Sequence, residues 1–482
     1  MLFSEPIFLF FFLPLLLVTH ALSPHGIRNG VLALASILFY AWDEPAHVWI
    51  LLGSVAFNYA IGFGVAPTNR PTVRCWSLRV GIVGNLSLLG FFKYFNFAAA
   101  NLNALLSTDG SPPLAITTIP LPLGISFFTF QCISYIADVH RGHNPRQENP
   151  VDMTLYIALF PQLIAGPIVR YREIADQIRN RRCGSAKFRM GAARFVIGLG
   201  KKVLVADILA RPADLCFQLG SSDLTAPLAW LGLLCYTLQI YFDFSGYSDM
   251  AIGLGQMFGF KLPENFRYPY VARCVTDFWQ RWHLTLSHWF RDYLYIPLGG
   301  NRRSPLRTYL NLFTVFLLCG LWHGASWSFV LWGFVHGSFL IVERIFKDRV
   351  NLPNCLALPL TLFAVMMGWV LFRCETLPQA TAYFVALFGC GMAVQTSISF
   401  PAVLTNEILL VLAFGAIAAS PVRSHLRNWI SSRIRSTPDR ASRCRTIIRV
   451  HWIQDVALCL LFGLILLQIA AQTYVPFLYF RF

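Results

Sequence analysis

The sequence predicts an all-α, polytopic integral membrane protein, with roughly ten to thirteen transmembrane or re-entrant helices around a buried site, counting ~20 apolar residues per span. Composition is the first reason. Of the 482 residues 56% are hydrophobic and only 13% charged, and the mean hydropathy is +0.55, far outside the soluble range. Uncharged runs are the second: they recur at 45–69, 110–137, 224–242, 350–372, 376–406 and 456–480. The third is the placement of charge. The formal net charge of +16 is concentrated between apolar runs, as expected of loops held on the cytoplasmic side, and no nucleic-acid-binding motif accompanies it. Length alone suggests about three soluble domains; composition excludes them.

The first helix, Ile7 to Leu22, has no cationic segment before it and no small-residue cleavage site after it, so it is expected to be retained. Arg28 marks the following turn as cytoplasmic and places the N-terminus outside. Val31 to Tyr40 and Val48 to Ala66 follow, joined by an acidic turn at Asp43 and Glu44. Val80 to Phe97 crosses again, with Lys93 near enough to its end to snorkel. Residues 101–122, rich in Pro, Ser, Thr and Asn, read as an outer loop, and Leu123 to Ala137 returns inward. Tyr156 to Val169 contains Pro161, Gly166 and Pro167. It is expected to be re-entrant or interfacial, because irregular backbone at membrane depth must line a cavity or be buried in protein.

Two basic segments mark the cytoplasmic side: ten Lys and Arg residues from Arg170 to Lys202, and eight arginines from Arg423 to Arg449. Headgroup-facing loops account for them; so does contact with an anionic acyl donor. Ala226 to Phe258 carries Asp243 and Asp249 at membrane depth, either as a relay or as structural pairs with an arginine of the next segment. The twelve cysteines show no CxxC pair and no Cys/His spacing suited to zinc, so neither a required disulfide nor a metal is expected.

Two stretches carry candidate chemistry. Thr308 to Val342 has no Asp, Glu, Lys or Arg over 35 residues, enough for two closely packed spans or one long broken helix. Its ionisable side chains are His323 and His336, and an ionisable group inside a span is a functional candidate. His323 lies near the middle of the run, with Gly320 and Gly324 beside it to admit a neighbouring backbone or a substrate. It is either a core histidine bonded to a neighbouring helix or a general base in a membrane-buried site. The second stretch, 261–307, is polar yet dense in aromatics. Thr276 is expected to cap a helix running to about Tyr293. At about 100° per residue, Asp277, Arg281, His288 and Asp292 share one face, and Trp279, Trp282, His283, Leu286, Phe290 and Tyr293 the other. His283 then lies at the edge of the inward face, where an imidazole needs a hydrogen-bond partner or a substrate. The helix is expected to lie flat on the bilayer or dip into it, ending in a turn at Pro297 to Arg302.

RWHLTLSHWFRDYLYIPLGGNR at 281–302, followed by GLWHGASWSFVLWGFVHG at 320–337, resembles the membrane-bound O-acyltransferase family, in particular its bacterial alginate O-acetyltransferase branch. The opening MLFSEPIFLFFFLPLL, the NFRYPY at 265–270 and the FLYF at 477–480 are similar to that branch too, so the likeness covers nearly the whole chain as one domain, 1–482. Family members that transfer D-alanine to teichoic acid share WHG and RWH but usually lack LYIPLGGNR. His288 departs from the small residue of the branch, outside the motif core. The resemblance implies that His323, of the WHG motif, is catalytic, and that His283, of the RWH motif, assists it.

Acyl transfer to a hydroxyl needs a base to take the proton as oxygen attacks a thioester carbonyl. His323 is expected to be that base, and His283 to orient it, bind the acceptor or steady the oxyanion. The resemblance further implies acetyl-CoA as donor with no permanently bound cofactor, and as acceptor an exported polysaccharide such as alginate or a periplasmic carrier protein. It implies partner proteins in the periplasm and a bacterial inner-membrane location. A transporter or exporter of a polar solute is the competing reading, resting on Asp243, Asp249 and the broken helices.

Overall fold

The computed structural model describes residues 1–108, 114–346, 352–390, 398–436 and 439–471. The described residues form helices joined by turns, with no strand among them. Side chains such as Phe11, Trp49, Leu410 and Leu460 point outward, the last 70% exposed. Apolar surface on that scale belongs against lipid, as in a multi-pass membrane protein. Five described helices are long and apolar enough to cross a bilayer, or six if the bent pair Asn406–Ala418 and Val422–Ser436 is one span. The ten to thirteen expected are not reached by this measure, because several helices are short, broken or polar on their inner face.

Most expected elements are present with altered bounds. The helix Val48–Val65 matches its run. The crossing expected at 80–97 belongs to a helix of 38 residues, Pro71–Thr108, which continues into the stretch read as an outer loop. Within it Lys93 does not snorkel; it is buried. The segment 156–169 is broken as expected: the helix Pro150–Ala158 ends at Leu159, and a four-residue helix, Phe160–Leu163, follows inside the protein. The FLYF at 477–480 lies outside the described residues.

The helices Ser185–Lys201 and Ala226–Met257 run against each other. Small residues set their closeness: a Cβ on Gly198 would stand 2.6 Å from Gly246 O, and one on Gly246 would stand 2.8 Å from Gly198 O. The same contact brings cations to the two aspartates. Asp249 pairs with Arg194 at 2.8 Å and Lys201 at 2.7 Å, and Asp243 pairs with Lys202 at 2.8 Å. The structural role holds, but the partners come from the preceding helix and two of the three are lysines. Lys202 also holds Asp207 at 2.7 Å. Removing its charge strands two buried carboxylates, so Lys202→Met is expected to cost about 3–5 kcal/mol, read as a loss of folded protein in detergent melts.

The run 308–342 is a helical hairpin: Pro305–His323, a break at 324–326, and Trp327–Phe346. Its glycines serve the close approach expected of them, the partner being the return helix. A Cβ on Gly320 would stand 2.3 Å from Phe329 O, and one on Gly333 would stand 2.5 Å from Phe316 O.

The expected helix from Thr276 to Tyr293 is not continuous. Val275–Trp279 and Leu284–Phe290 are separate short helices, and a π-helical turn, Arg291–Tyr295, follows. Cys274, not Thr276, is the N-cap; Thr276 instead donates its hydroxyl to Glu343 of the hairpin at 2.6 Å. The aromatic side still faces inward, with Trp279, Trp282, His283, Leu286 and Phe290 buried. Asp292 fastens this segment to the helix Tyr171–Asn180 by pairing with Arg170, Arg172 and Arg291. Burial works against its charge, but the three guanidinium groups hold its carboxyl below the usual range. Its contribution is therefore full above about pH 5 and lost as pH falls below about 4. Asp292→Asn is expected to cost about 2 kcal/mol at pH 7, discounted because Arg172 and Arg291 reach solvent, and the gap to the parent protein should narrow in melts as pH is lowered below about 4.

Candidate active site

His323 is the last residue of the helix Pro305–His323, so its place in the middle of an apolar run is also a helix end. It is 4% exposed. Its ring lies edge-on to Trp322, Trp332 and Phe372, with centroids 5.0, 5.3 and 5.1 Å away. His283 is 1% exposed and its ring also lies against Trp322, 6.2 Å between ring centroids. The structure thus brings the two histidines, 40 residues apart in sequence, around one indole.

His283 stands in the turn between the two short helices with φ +46°, one of two non-glycine residues with positive φ among those described. A left-handed backbone at a residue with a Cβ costs of order 1–3 kcal/mol and persists where the surroundings impose it. Here Asn265 does so. Its backbone carbonyl accepts from Leu284 N at 3.0 Å, and its Oδ1 accepts from Thr285 N at 3.3 Å and Thr285 Oγ1 at 3.0 Å. The Thr285 amide can only donate, which fixes that atom as oxygen. Nδ1 of His283, 3.1 Å from the same Oδ1, must then carry the proton. Nε2 is left with the lone pair, buried and without a hydrogen-bond partner among the described residues. A neutral imidazole in that tautomer accepts a proton or a hydrogen bond; it does not donate to an oxyanion.

His336 has a different setting. It is packed between Trp279 and Trp332, at 5.1 and 4.9 Å, and a Cβ on Gly368 would stand 2.4 Å from its Nε2. That is a core position. His288 is half-buried on the face shared with Arg291 and Asp292.

Two cavities approach the pair, with no lining residue in common. One, of about 800 Å³, is bounded by Arg194, Lys201, Arg267, Arg423 and Arg427 together with Asp249 and Glu264, and reaches Asn265 and Leu284, whose backbones bond to each other beside His283. It brings together cations from both basic segments of the sequence. The other, of about 260 Å³, is lined by Lys93, Gly324, Phe329, Phe372, Arg373 and Glu375, beginning one residue beyond His323. Neither imidazole lines either of these two cavities; Phe372 packs on His323 at 5.1 Å and Phe244 on His283 at 4.7 Å. No group of three or more His, Cys, Asp or Glu that could hold a metal occurs among the described residues.

Sequence reading missed Lys93, Asn265 and Trp322. Asn265 begins the NFRYPY stretch but carries no sign of its partner 18 residues on, and Lys93 looked like one more interfacial cation.

Residues 116–374 match the family model of MBOAT, the membrane-bound O-acyltransferase family. The full length matches a protein of Azotobacter vinelandii named "Probable alginate O-acetylase AlgI", 43% identical with all of both chains covered. The chain belongs to the membrane-bound O-acyltransferase family. Within this family it falls in the branch of the alginate O-acetylases, as a 40% identity over all of both chains to the protein of that name in Pseudomonas aeruginosa also shows. A peptidoglycan O-acetyltransferase of Helicobacter pylori is 36% identical over all of this chain and 98% of its own. Such relatives make the protein an O-acyltransferase, and the transporter reading loses its carriers, because Asp243 and Asp249 are both held in ion pairs.

Proposed function

We propose that this O-acyltransferase moves an acetyl group from a cytoplasmic thioester, acetyl-CoA, to hydroxyls of an exported polysaccharide, alginate first among them, or to a periplasmic carrier that passes the group on. The observation that carries the reading is the pair of buried histidines, each next to a different cavity. The larger cavity, where Arg194 and Lys201 are paired with Asp249 and Glu264 and where Arg267, Arg423 and Arg427 add three further cations, suits the phosphates of a nucleotide thioester. The smaller suits a neutral hydroxyl acceptor. His323 takes the hydroxyl proton as the oxygen attacks the thioester carbonyl; the C–S bond breaks, the new ester forms, and the thiolate leaves as thiol with that proton. His283 orients the acceptor by accepting, through the Nε2 lone pair, from a hydroxyl beside the reacting one, whose own proton goes to His323, and it does not steady the oxyanion. The whole chain acts as one catalytic unit in a bacterial inner membrane, with periplasmic proteins completing the transfer.

Mass spectrometry of the exopolysaccharide from a deletion strain tests this. Acetyl esters should vanish and return with the intact gene; a polymer that keeps its full acetylation without this protein contradicts the reading. Vesicles carrying the protein, loaded with a polar solute and given no acyl donor, should show no movement above empty vesicles.

A further inference from the structure

A helix end buried in protein must find partners for its last four carbonyls. The helix Pro305–His323 finds all four at the residue proposed as base. Gly320 O accepts from Gly324 N at 3.2 Å within the turn. The next three are taken by two consecutive residues of the helix Pro71–Thr108. Leu321 O accepts from the Tyr94 hydroxyl at 2.8 Å, Trp322 O accepts from Lys93 Nζ, and His323 O accepts from Lys93 Nζ at 3.3 Å. The third donor of the Lys93 ammonium reaches Ser126 Oγ at 3.4 Å, so its three hydrogens have three acceptors.

We propose that Lys93, seconded by Tyr94, is a positioning residue for the acyl transfer: it clamps the end of the Pro305–His323 helix and so fixes where the His323 imidazole stands beside the smaller cavity. The inference rests on the reading of His323 as the base. A cation also suits this place electrostatically, since the C-terminal end of a helix carries partial negative charge. Its cost of burial at membrane depth is met by two carbonyls and a hydroxyl, with no carboxylate in the set. A lysine whose task was only to join helices would gain nothing from choosing the two carbonyls that flank and include the reacting residue. Lys93 also lines the smaller cavity, where a small soluble amine can reach the space it leaves.

Purified protein in nanodiscs, assayed for acetyl transfer to a soluble oligosaccharide, tests the clamp. Lys93→Met should lower kcat about a hundredfold, the size expected from a misplacement of about 1 Å, with KM for donor and acceptor unchanged within threefold and a normal melting profile. Added ethylammonium should restore part of kcat to Lys93→Ala, which a purely structural loss would not allow. A Lys93→Met enzyme with kcat within twofold of the parent overturns the inference; so does a loss confined to KM. Should Lys93→Met fail to accumulate, Tyr94→Phe decides: a severalfold fall in kcat at constant KM supports the clamp, and an unchanged kcat refutes it. Parent protein and His323→Ala run alongside. An inactive parent, or an active His323→Ala, defeats the functional reading itself and is told apart from failure of the clamp.

Discussion

Replacing His323 with alanine is expected to abolish acetyl transfer, by a factor of about 10³ or more, while the protein reaches the membrane in normal amount. General-base catalysis contributes about 10² to 10⁴, and the rings packed on His323, those of Trp322, Trp332 and Phe372, cannot take its place as proton acceptors. Truncating a buried imidazole also leaves a small void, so some stability is lost. Acetyl content of the polymer and protein level in the membrane fraction must therefore be read together. Full acetylation by His323→Ala at equal protein level rejects the assignment.

The second large effect is expected at His283. His283→Ala should lower kcat about 10² to 10³ and raise KM for the acceptor, because the Nε2 lone pair that holds the hydroxyl beside the reacting one is gone. His283→Asn should not recover it, since the shorter side chain cannot reach from the same backbone. A different signature separates Asn265. Its loss frees the imidazole tautomer and uncaps the helix Leu284–Phe290, so Asn265→Ala should cost about 1 kcal/mol of stability and lower kcat less than His283→Ala does. A fall in KM for the acceptor in His283→Ala would contradict the proposed contact.

Much of the fold was legible because lipid imposes a strong rule: long apolar runs must be helices, with their backbone groups satisfied internally. The hairpin of His323 and the broken segment at 156–169 were readable on that basis. What failed was the idea that an amphipathic pattern means an unbroken helix. From Thr276 to Tyr293 the burial pattern is right, yet the backbone breaks at His283, because Asn265 and Glu343 cap the two pieces from distant elements. Local periodicity carries no record of such long-range caps. Lys93 failed for a related reason. Near the end of an apolar run a lysine reads as an interfacial anchor, and only the packing of Pro71–Thr108 against the hairpin end shows carbonyls waiting for it. The two histidines themselves were found from their motifs, but that both neighbour one indole is a fact of the tertiary structure.

The most direct test of the central claim is sidedness. Inverted vesicles containing the protein would carry a hydroxyl acceptor inside and receive radiolabelled acetyl-CoA outside. If two cavities serve one buried base, label should appear on the enclosed acceptor with the parent protein and not with His323→Ala. Label that appears only when donor and acceptor share a compartment would contradict the account.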